Sequence, residues 1–384
     1  MKDRPEGLED TALVSAVSEG WDVRVRSATY LPLGAGSYHW AVEDDGGRSW
    51  FVTADDLGSE NDAWQESFHD LGSDSGRKGS FEDQGGENDA REVAFERLGR
   101  AFATAVALRR DAGLAFVLAP IPARTGAPLW RIDPRYAVSV FPMLDGEAGE
   151  FGAHRPDDRP DVIRLLTELH RATPVVAATA PRTDLTLPGR DRLEDALNDL
   201  GRTWDGGPFS EPARRLLATR ARDVERSLAA FDRLVRQVRE TADTWVVTHG
   251  EPHPGNLVRT AAGLTLIDWD TVQIAPPERD LWMLTGAPPA EALAVDSTAD
   301  PLARDSAADV LARDSADHVR AVKALAEYTR ATGHTVDPAA LALYPLWWKL
   351  ADIAIFTNDL RRPHSTTEDS TASWHYLNGY LKTP

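Results

Sequence analysis

One stretch, Trp245 to Trp282, reads WVVTHGEPHPGNLVRTAAGLTLIDWDTVQIAPPERDLW and limits what this chain can fold into. Two short apolar runs, Trp245–Thr248 and Leu264–Ile267, have strand patterning and each ends in a polar cluster. The first cluster holds His249, Glu251, His253 and Asn256; the second holds Asp268 and Asp270. Strands that deliver carboxylates and an Asn to one place suit a magnesium phosphate site, because hard cations take oxygen ligands and keep waters. A hydroxyl nucleophile also needs a carboxylate beside it to accept its proton. The four-residue spacing of His249 and His253 suggests a zinc pair, but it aligns ligands only on a helix. Pro252, Pro254 and Gly255 forbid one, and the order H-E-x-x-H is absent.

Glu251 and Asn256 are five apart, the spacing of the base and the metal-binding Asn in H-R-D-x-x-x-x-N. Asp268 follows on the next strand, in the place of the D-F-G aspartate. The stretch resembles the aminoglycoside phosphotransferase family, whose loop is close to H-G-D-x-H-P-G-N and whose metal strand reads I-D-W/F. Within it, D-W-D-T and P-x-E-R-D-L are similar to the spectinomycin-phosphotransferase-like branch. The resemblance implies an α+β, protein-kinase-like two-lobed fold. Residues 1–141 would form an antiparallel-sheet lobe covering the nucleotide, and residues 142–384 a mostly helical lobe with the catalytic loop and substrate site. It further implies Glu251 as catalytic base, Asn256 and Asp268 as magnesium ligands, His249 as a brace of the metal strand, and Asp280 as a tie to the loop backbone. Asp270 would point as Asp268 does if the strand persists. One departure is chemical. The family's catalytic Asp is Glu251 here, longer by one methylene, on the order of 1.5 Å.

The first lobe is legible upstream. A short helix is expected over Gly7–Ser18, then strands at Val23–Ala28, Tyr38–Val42 and Trp50–Thr53, the last two joined by the turn Asp44-Asp45-Gly46-Gly47. Gly34, Gly36 and Ser37, in LPLGAGSYHW, resemble a nucleotide-covering loop, with His39 where a third glycine is usual. The family's F-V-K lysine is Thr53 here. The chain has five lysines, and Lys78 alone lies between that strand and the hinge. Arg91 and Arg97 are the candidate substitutes. Residues 58–90 carry nine acids against two bases and read as a disordered acidic insertion; Trp64, Phe68 and Leu71 in it have the spacing of one helical turn. A helix over 91–111 follows, with Glu92 and Glu96 one turn apart, either ordinary solvated charges or relics of a strand pair. Strands are expected at 116–122, 129–132 and 136–141, and adenine is expected at the backbone of Val140, Phe141 and Met143.

The net charge of −19 excludes nucleic acid and anionic membranes as partners and suits a cationic substrate, or else serves solubility alone. With no cysteine there is no disulfide framework. No signal pattern opens the chain and no run approaches 18 apolar residues, so a cytoplasmic monomer or dimer is expected. Helices are expected over 161–173, 191–200 and 212–240, with His170 at a surface or cap. LARDSA occurs twice, at 302–307 and 311–316, as a tandem expansion. On a long helix over 339–360, Trp348, Asp352 and Asp359 share one face, forming either a substrate wall for ammonium groups or a core tryptophan with two surface acids. His364 and Trp374 are further cleft candidates.

The expected function is Mg²⁺-dependent transfer of a γ-phosphate from ATP or GTP to a hydroxyl of a small cationic molecule. By resemblance that molecule is an aminocyclitol or aminoglycoside antibiotic, with resistance as the consequence. Thr53 and Glu251 keep open a catalytically silent binding protein, and a sugar or amino-alcohol kinase is a third reading.

Overall fold

The computed structural model describes residues 3–34, 36–58, 84–285 and 316–382. Its first lobe runs α1 (Asp10–Trp21), β1 (Val25–Leu31), β2 (Tyr38–Asp44), β3 (Ser49–Asp56), α2 (Gln84–Arg110), β4 (Trp130–Arg131) and β5 (Tyr136–Pro142). The five strands form one sheet in the order β1-β2-β3-β5-β4, every pair antiparallel. Period-two alternation divides β3 between two cores. Val52 and Ala54 join Leu13 and Val17 of α1. Phe51 and Leu57 join Ala94, Leu98 and Phe102 of α2 on the other face. The sheet is thus sandwiched, and the α2 face of β3 also carries Thr53 and Asp55.

The second lobe begins with β6 (Gly146–Ala148) and continues through α3 (Arg159–Arg171), α4 (Thr173–Val176), α5 (Arg190–Asn198) and α6 (Ser210–Arg239). Four short strands follow: β7 (Val246–Thr248), β8 (Leu257–Thr260), β9 (Gly263–Leu266) and β10 (Gln273–Ala275). Helices α7 (Glu278–Leu281), α8 (Ala316–Thr332), α9 (Pro338–Arg361) and α10 (Glu368–Lys382) close the chain. β6-β8-β9 and β10-β7 form two small sheets, so the two runs expected to be strands stand one residue from where they were placed. Pairing of β6 with β8 fastens the inter-lobe linker directly to the strand that leaves the loop holding Glu251 and Asn256.

Several expectations are corrected. Helix α1 starts and ends three residues late and stops where Asp22 takes a left-handed φ of 54°. Helix α2 begins at Gln84, so the end of the segment expected to be disordered is helical. Residues 59–83, with Trp64, Phe68, Leu71 and Lys78, lie outside the described residues, as do both LARDSA copies except Ala316. Residues 116–122 form no strand. Val117 makes a single bridge to Leu266, and Pro120 and Pro122 remove the donors a ladder would need. The expectation that no apolar run is long enough to span a membrane also fails. An 18-residue window of α9 has a mean hydropathy of 1.3, and 67% of that window is buried inside the protein. Helix α9 is the core helix of the second lobe, packed on α5, α6 and α10.

Candidate active site

The loop between β7 and β8 is braced from three sides. Its backbone N–H groups at His249 and Gly250 donate to Asp280 Oδ2 (3.0 Å) and Oδ1 (2.6 Å). Asp280 is fully buried and is itself bonded to His170 Nε2 (3.0 Å), whose Nδ1 meets the Tyr328 hydroxyl (2.6 Å). His170 is therefore no surface or capping residue. It is 3% exposed and links α3 to the loop, because α7 and α8 close over the end of its helix. Burial opposes the Asp280 charge, but the His170 hydrogen bond and nearby positive groups hold its carboxyl below the ordinary value.

His249 joins the two polar clusters. Its Nε2 pairs with the Ile267 carbonyl (2.8 Å), and its Nδ1 accepts the Glu251 N–H (3.2 Å). Burial pushes the imidazole down to about 4, so it is neutral, and its ring stands edge-on to the fully buried Trp269. Both ring nitrogens are thereby occupied. Beneath the loop lies Arg279, which sequence reasoning read only as part of a motif. It donates to Thr248 Oγ1 (3.0 Å) and touches Gly250 so closely that a β-carbon there would collide with the guanidinium. Gly250 also has φ +105°, so both backbone and space require glycine.

Glu251 sits at the mouth of this loop. Burial, then the charge of Asp270, raises its carboxyl to about 8, against the pull of Arg279. Raised proton affinity makes the unprotonated carboxylate a stronger base for a hydroxyl proton. Asn256 Nδ2 donates to the Glu251 carbonyl (3.0 Å), which fixes the amide and leaves its Oδ1 as the acceptor for another partner. The second strand ends at Leu266, so Asp268 does not continue it. Asp268 instead takes φ +67°, a left-handed conformation that Asp tolerates better than most residues. Asp268 keeps solvent access, yet the protein packed around its carboxyl, then the charges of Asp270 and Glu251, holds it well above the ordinary range. Asp270, raised by burial, crowds the same space.

These groups fit magnesium. Crowded carboxylates with raised affinity for protons are what a divalent cation would relieve. Among the described residues no three His, Cys, Asp or Glu groups form a complete cage. Magnesium characteristically takes one or two carboxylates plus phosphate and water, so Asn256 and Asp268 with a bound phosphate would suffice.

On the nucleotide side, Gly34 and Gly36 have φ of +63° and +91°. Ser37 Oγ donates to Asp55 Oδ1 (2.7 Å), tying the loop to β3. Thr53 is buried and meets His39 Nδ1 at 3.3 Å. At the linker the Val140 carbonyl already accepts from Ile121 N (2.7 Å), and the Val140 and Phe141 side chains fill the two cores of the lobe. Of the residues expected to face adenine, Met143 is the exposed one, just past the strand end. Glu92 pairs with Arg131 (2.7 Å), and Glu96 is solvated.

On the other side of Glu251 stands an aromatic wall. Phe151 is 67% exposed, stacks on Trp348 (5.9 Å between centroids) and meets the edge of His253 (4.8 Å). Trp282 backs Trp348 at 5.9 Å. Asp352, one turn along α9, is bonded by Tyr380 and Trp348 and acts electrostatically on Glu251. Burial raises it to about 7. Asp359 does not join this group. It lies two turns further along, bonded to Ser373 (3.4 Å), with Arg362 and Arg192 as its charge neighbours. His364 and Trp374 both stack on Phe209 at the start of α6. Phe151 was not anticipated; its one signal was an aromatic among glycines and acids directly after the linker.

Comparison with known proteins places this geometry. Residues 28–325 match the Phosphotransferase enzyme family. Protein StrN of Streptomyces griseus is 28% identical over 287 residues, covering 72% of this chain and 75% of that protein. The fold is similar to that of a spectinomycin phosphotransferase solved with ADP and spectinomycin (TM-score 0.65, 13% identity, 98% of each chain covered). It is also similar to that of an amicoumacin kinase solved with AMP-PNP and Ca²⁺ (TM-score 0.50, 11% identity, 98% of this chain and 95% of that one). The family match spans well over half of the sequence, and the two-lobed kinase-like fold agrees with it: the chain belongs to the phosphotransferase enzyme family.

Proposed function

We propose that this phosphotransferase moves the γ-phosphate of ATP or GTP, with Mg²⁺, to a hydroxyl of a small cationic aminocyclitol- or aminoglycoside-type molecule in the cytoplasm. One observation carries the reading: Glu251 stands between the oxygen cluster of Asn256 and Asp268 and an aromatic wall that shelters Asp352. An ammonium group fits such a wall, because aromatic faces and a buried carboxylate both attract a desolvated cation. That would set a neighbouring hydroxyl against Glu251. The hydroxyl oxygen attacks the γ-phosphorus, the bond from phosphorus to the β-bridging oxygen breaks, and the hydroxyl proton passes to Glu251. Magnesium, held by Asn256 and Asp268, would neutralise charge on the phosphates. Phosphoryl transfer is loose, so positioning dominates, and the stiff Pro252–Pro254 loop suits a base one methylene longer than usual.

The same wall would take a smaller amino alcohol, which is the second reading. The test is mass spectrometry on aminocyclitols (spectinomycin first), aminoglycosides, sugars and amino alcohols incubated with protein, Mg²⁺ and each nucleotide. Gain of one phosphate on a cationic antibiotic supports the proposal, and gain only on amino alcohols supports the second reading. No gain on any compound, with no Mg-nucleotide binding, defeats both.

A further inference from the structure

A site for a polyphosphate needs positive charge from the covering lobe, and the strand position that usually supplies it is Thr53, a buried neutral hydroxyl. The α2 face of β3 carries Phe51, Thr53, Asp55 and Leu57 by alternation, and Phe51 and Leu57 pack on Ala94, Leu98 and Phe102 of α2. Helical spacing puts Arg97 one turn from Ala94, which packs on that same face. Its outer guanidinium nitrogen Nη2 is shielded from solvent. Asp55 faces it, 7% exposed, with Oδ1 bonded to Ser37 of the glycine loop and Oδ2 lacking a hydrogen-bond partner.

The neighbourhood extends toward the second lobe. Arg97 acts on the charge of Asp55, which Ser37 ties to the glycine loop, and Ala101, one turn further along α2, packs into the core of the second lobe. Arg97 thus stands beside the strand that anchors the glycine loop, where α2 passes from β3 toward the second lobe. Among the described residues, Arg131 is paired with Glu92 and Arg135 with Asp56, and Arg91 lies against Gly58, just past the end of β3.

We propose that Arg97 is the phosphate-gripping cation of this enzyme, in an arrangement of reversed polarity. The base comes from the helix, and the acid, Asp55, from the strand. This rests on the phosphotransferase reading above. A guanidinium suits the role because its fork can hold two phosphate oxygens, and its charge is kept in a buried site.

The test compares binding of Mg-ADP and of adenosine by calorimetry in wild type and Arg97→Met. Loss of a charge-assisted contact should weaken Mg-ADP about 10- to 100-fold. Adenosine, which has no phosphate, should bind as before. Adding Thr53→Lys to Arg97→Met should recover most of the Mg-ADP affinity by restoring a cation from the strand. If Arg97→Met does not fold, Arg97→Gln, polar, uncharged and shorter, carries the same comparison. Equal Mg-ADP affinity in wild type and variant overturns the proposal and leaves the phosphotransferase reading intact. Absence of Mg-nucleotide binding in the wild type overturns that reading itself.

Discussion

Asp352→Asn should stabilise the protein and disable it, and the stabilisation should depend on pH. Burial raises the Asp352 carboxyl from 3.8 to about 7. In the folded chain the group holds its proton more tightly than in the unfolded chain. Its contribution to stability is therefore complete below about pH 4 and is lost as pH rises through about 7. The displacement corresponds to a ceiling of ~4 kcal/mol, of which roughly 3 kcal/mol falls between pH 5 and pH 8. The amide carries no such charge and keeps one oxygen to accept from Tyr380 or Trp348. The melting temperature of Asp352→Asn, measured relative to wild type, should thus climb by roughly 3–4 °C from pH 5 to pH 8 in a chain of this size. Scanning fluorimetry at closely spaced pH values gives the difference curve. A saturating cationic substrate should raise the wild-type melting temperature at pH 8 and leave the variant's nearly unmoved. A difference curve flat from pH 5 to pH 8 would refute the buried-acid argument, and with it the cation pocket.

Glu251→Gln should lower kcat by about 10²-fold or more while calorimetric Mg-nucleotide affinity holds; unchanged turnover removes Glu251 from the chemistry. Glu251→Asp is the sharper variant. If the loop is shaped for the longer acid, restoring the usual residue retracts the base by on the order of 1.5 Å and should also cost at least ~10-fold in kcat. Gly250→Ala forces a β-carbon into Arg279 at positive φ and should destabilise by roughly 2–5 kcal/mol, read as a lower denaturation midpoint; an unshifted midpoint would mean that the packing under the loop is loose. Phe151→Ala removes an exposed ring from the wall and should raise KM for a cationic substrate by about 3- to 30-fold with kcat little changed. Equal effects on a neutral substrate would assign the ring to shape alone.

How much of this was legible in the sequence depends on whether a role is local. The proposed roles of Glu251, Asn256 and Asp268 are legible because metal and proton chemistry restricts residue type, and because the loop and the second strand fix their spacing. Strand alternation likewise located β2, β3 and β5, but it placed β1 two to three residues early, at Val23–Ala28 against the observed Val25–Leu31, and set a strand at 116–122 where none forms. What failed was anything set by distant packing. The burial of His170 depends on α7 and α8 closing over it, and no periodicity in its own helix reports that. Asp352 and Asp359 look equivalent on a helical wheel, yet two turns of rise leave one beside Glu251 and the other beside Ser373. Phe151 carries no motif at all, and nothing in the sequence separates Arg97 from Arg91 as a candidate. Their meaning comes from a linker pinned to β8 and from a helix laid across the acid-bearing face of β3.

Helix α9 was described as the core of the second lobe, and it also carries Trp348 and Asp352. A family that varies substrates on surface loops can drift freely, since loops are detached from stability. Here the residues proposed to face the acceptor share a helix with Leu346, Leu350 and Ile353, which are buried almost completely. A change of substrate would have to pass through changes that also perturb folding, so the route to a new specificity is narrow. Directed evolution on this scaffold should therefore yield new activities more readily from a background first stabilised elsewhere, with Asp352 and its neighbours varied only afterwards.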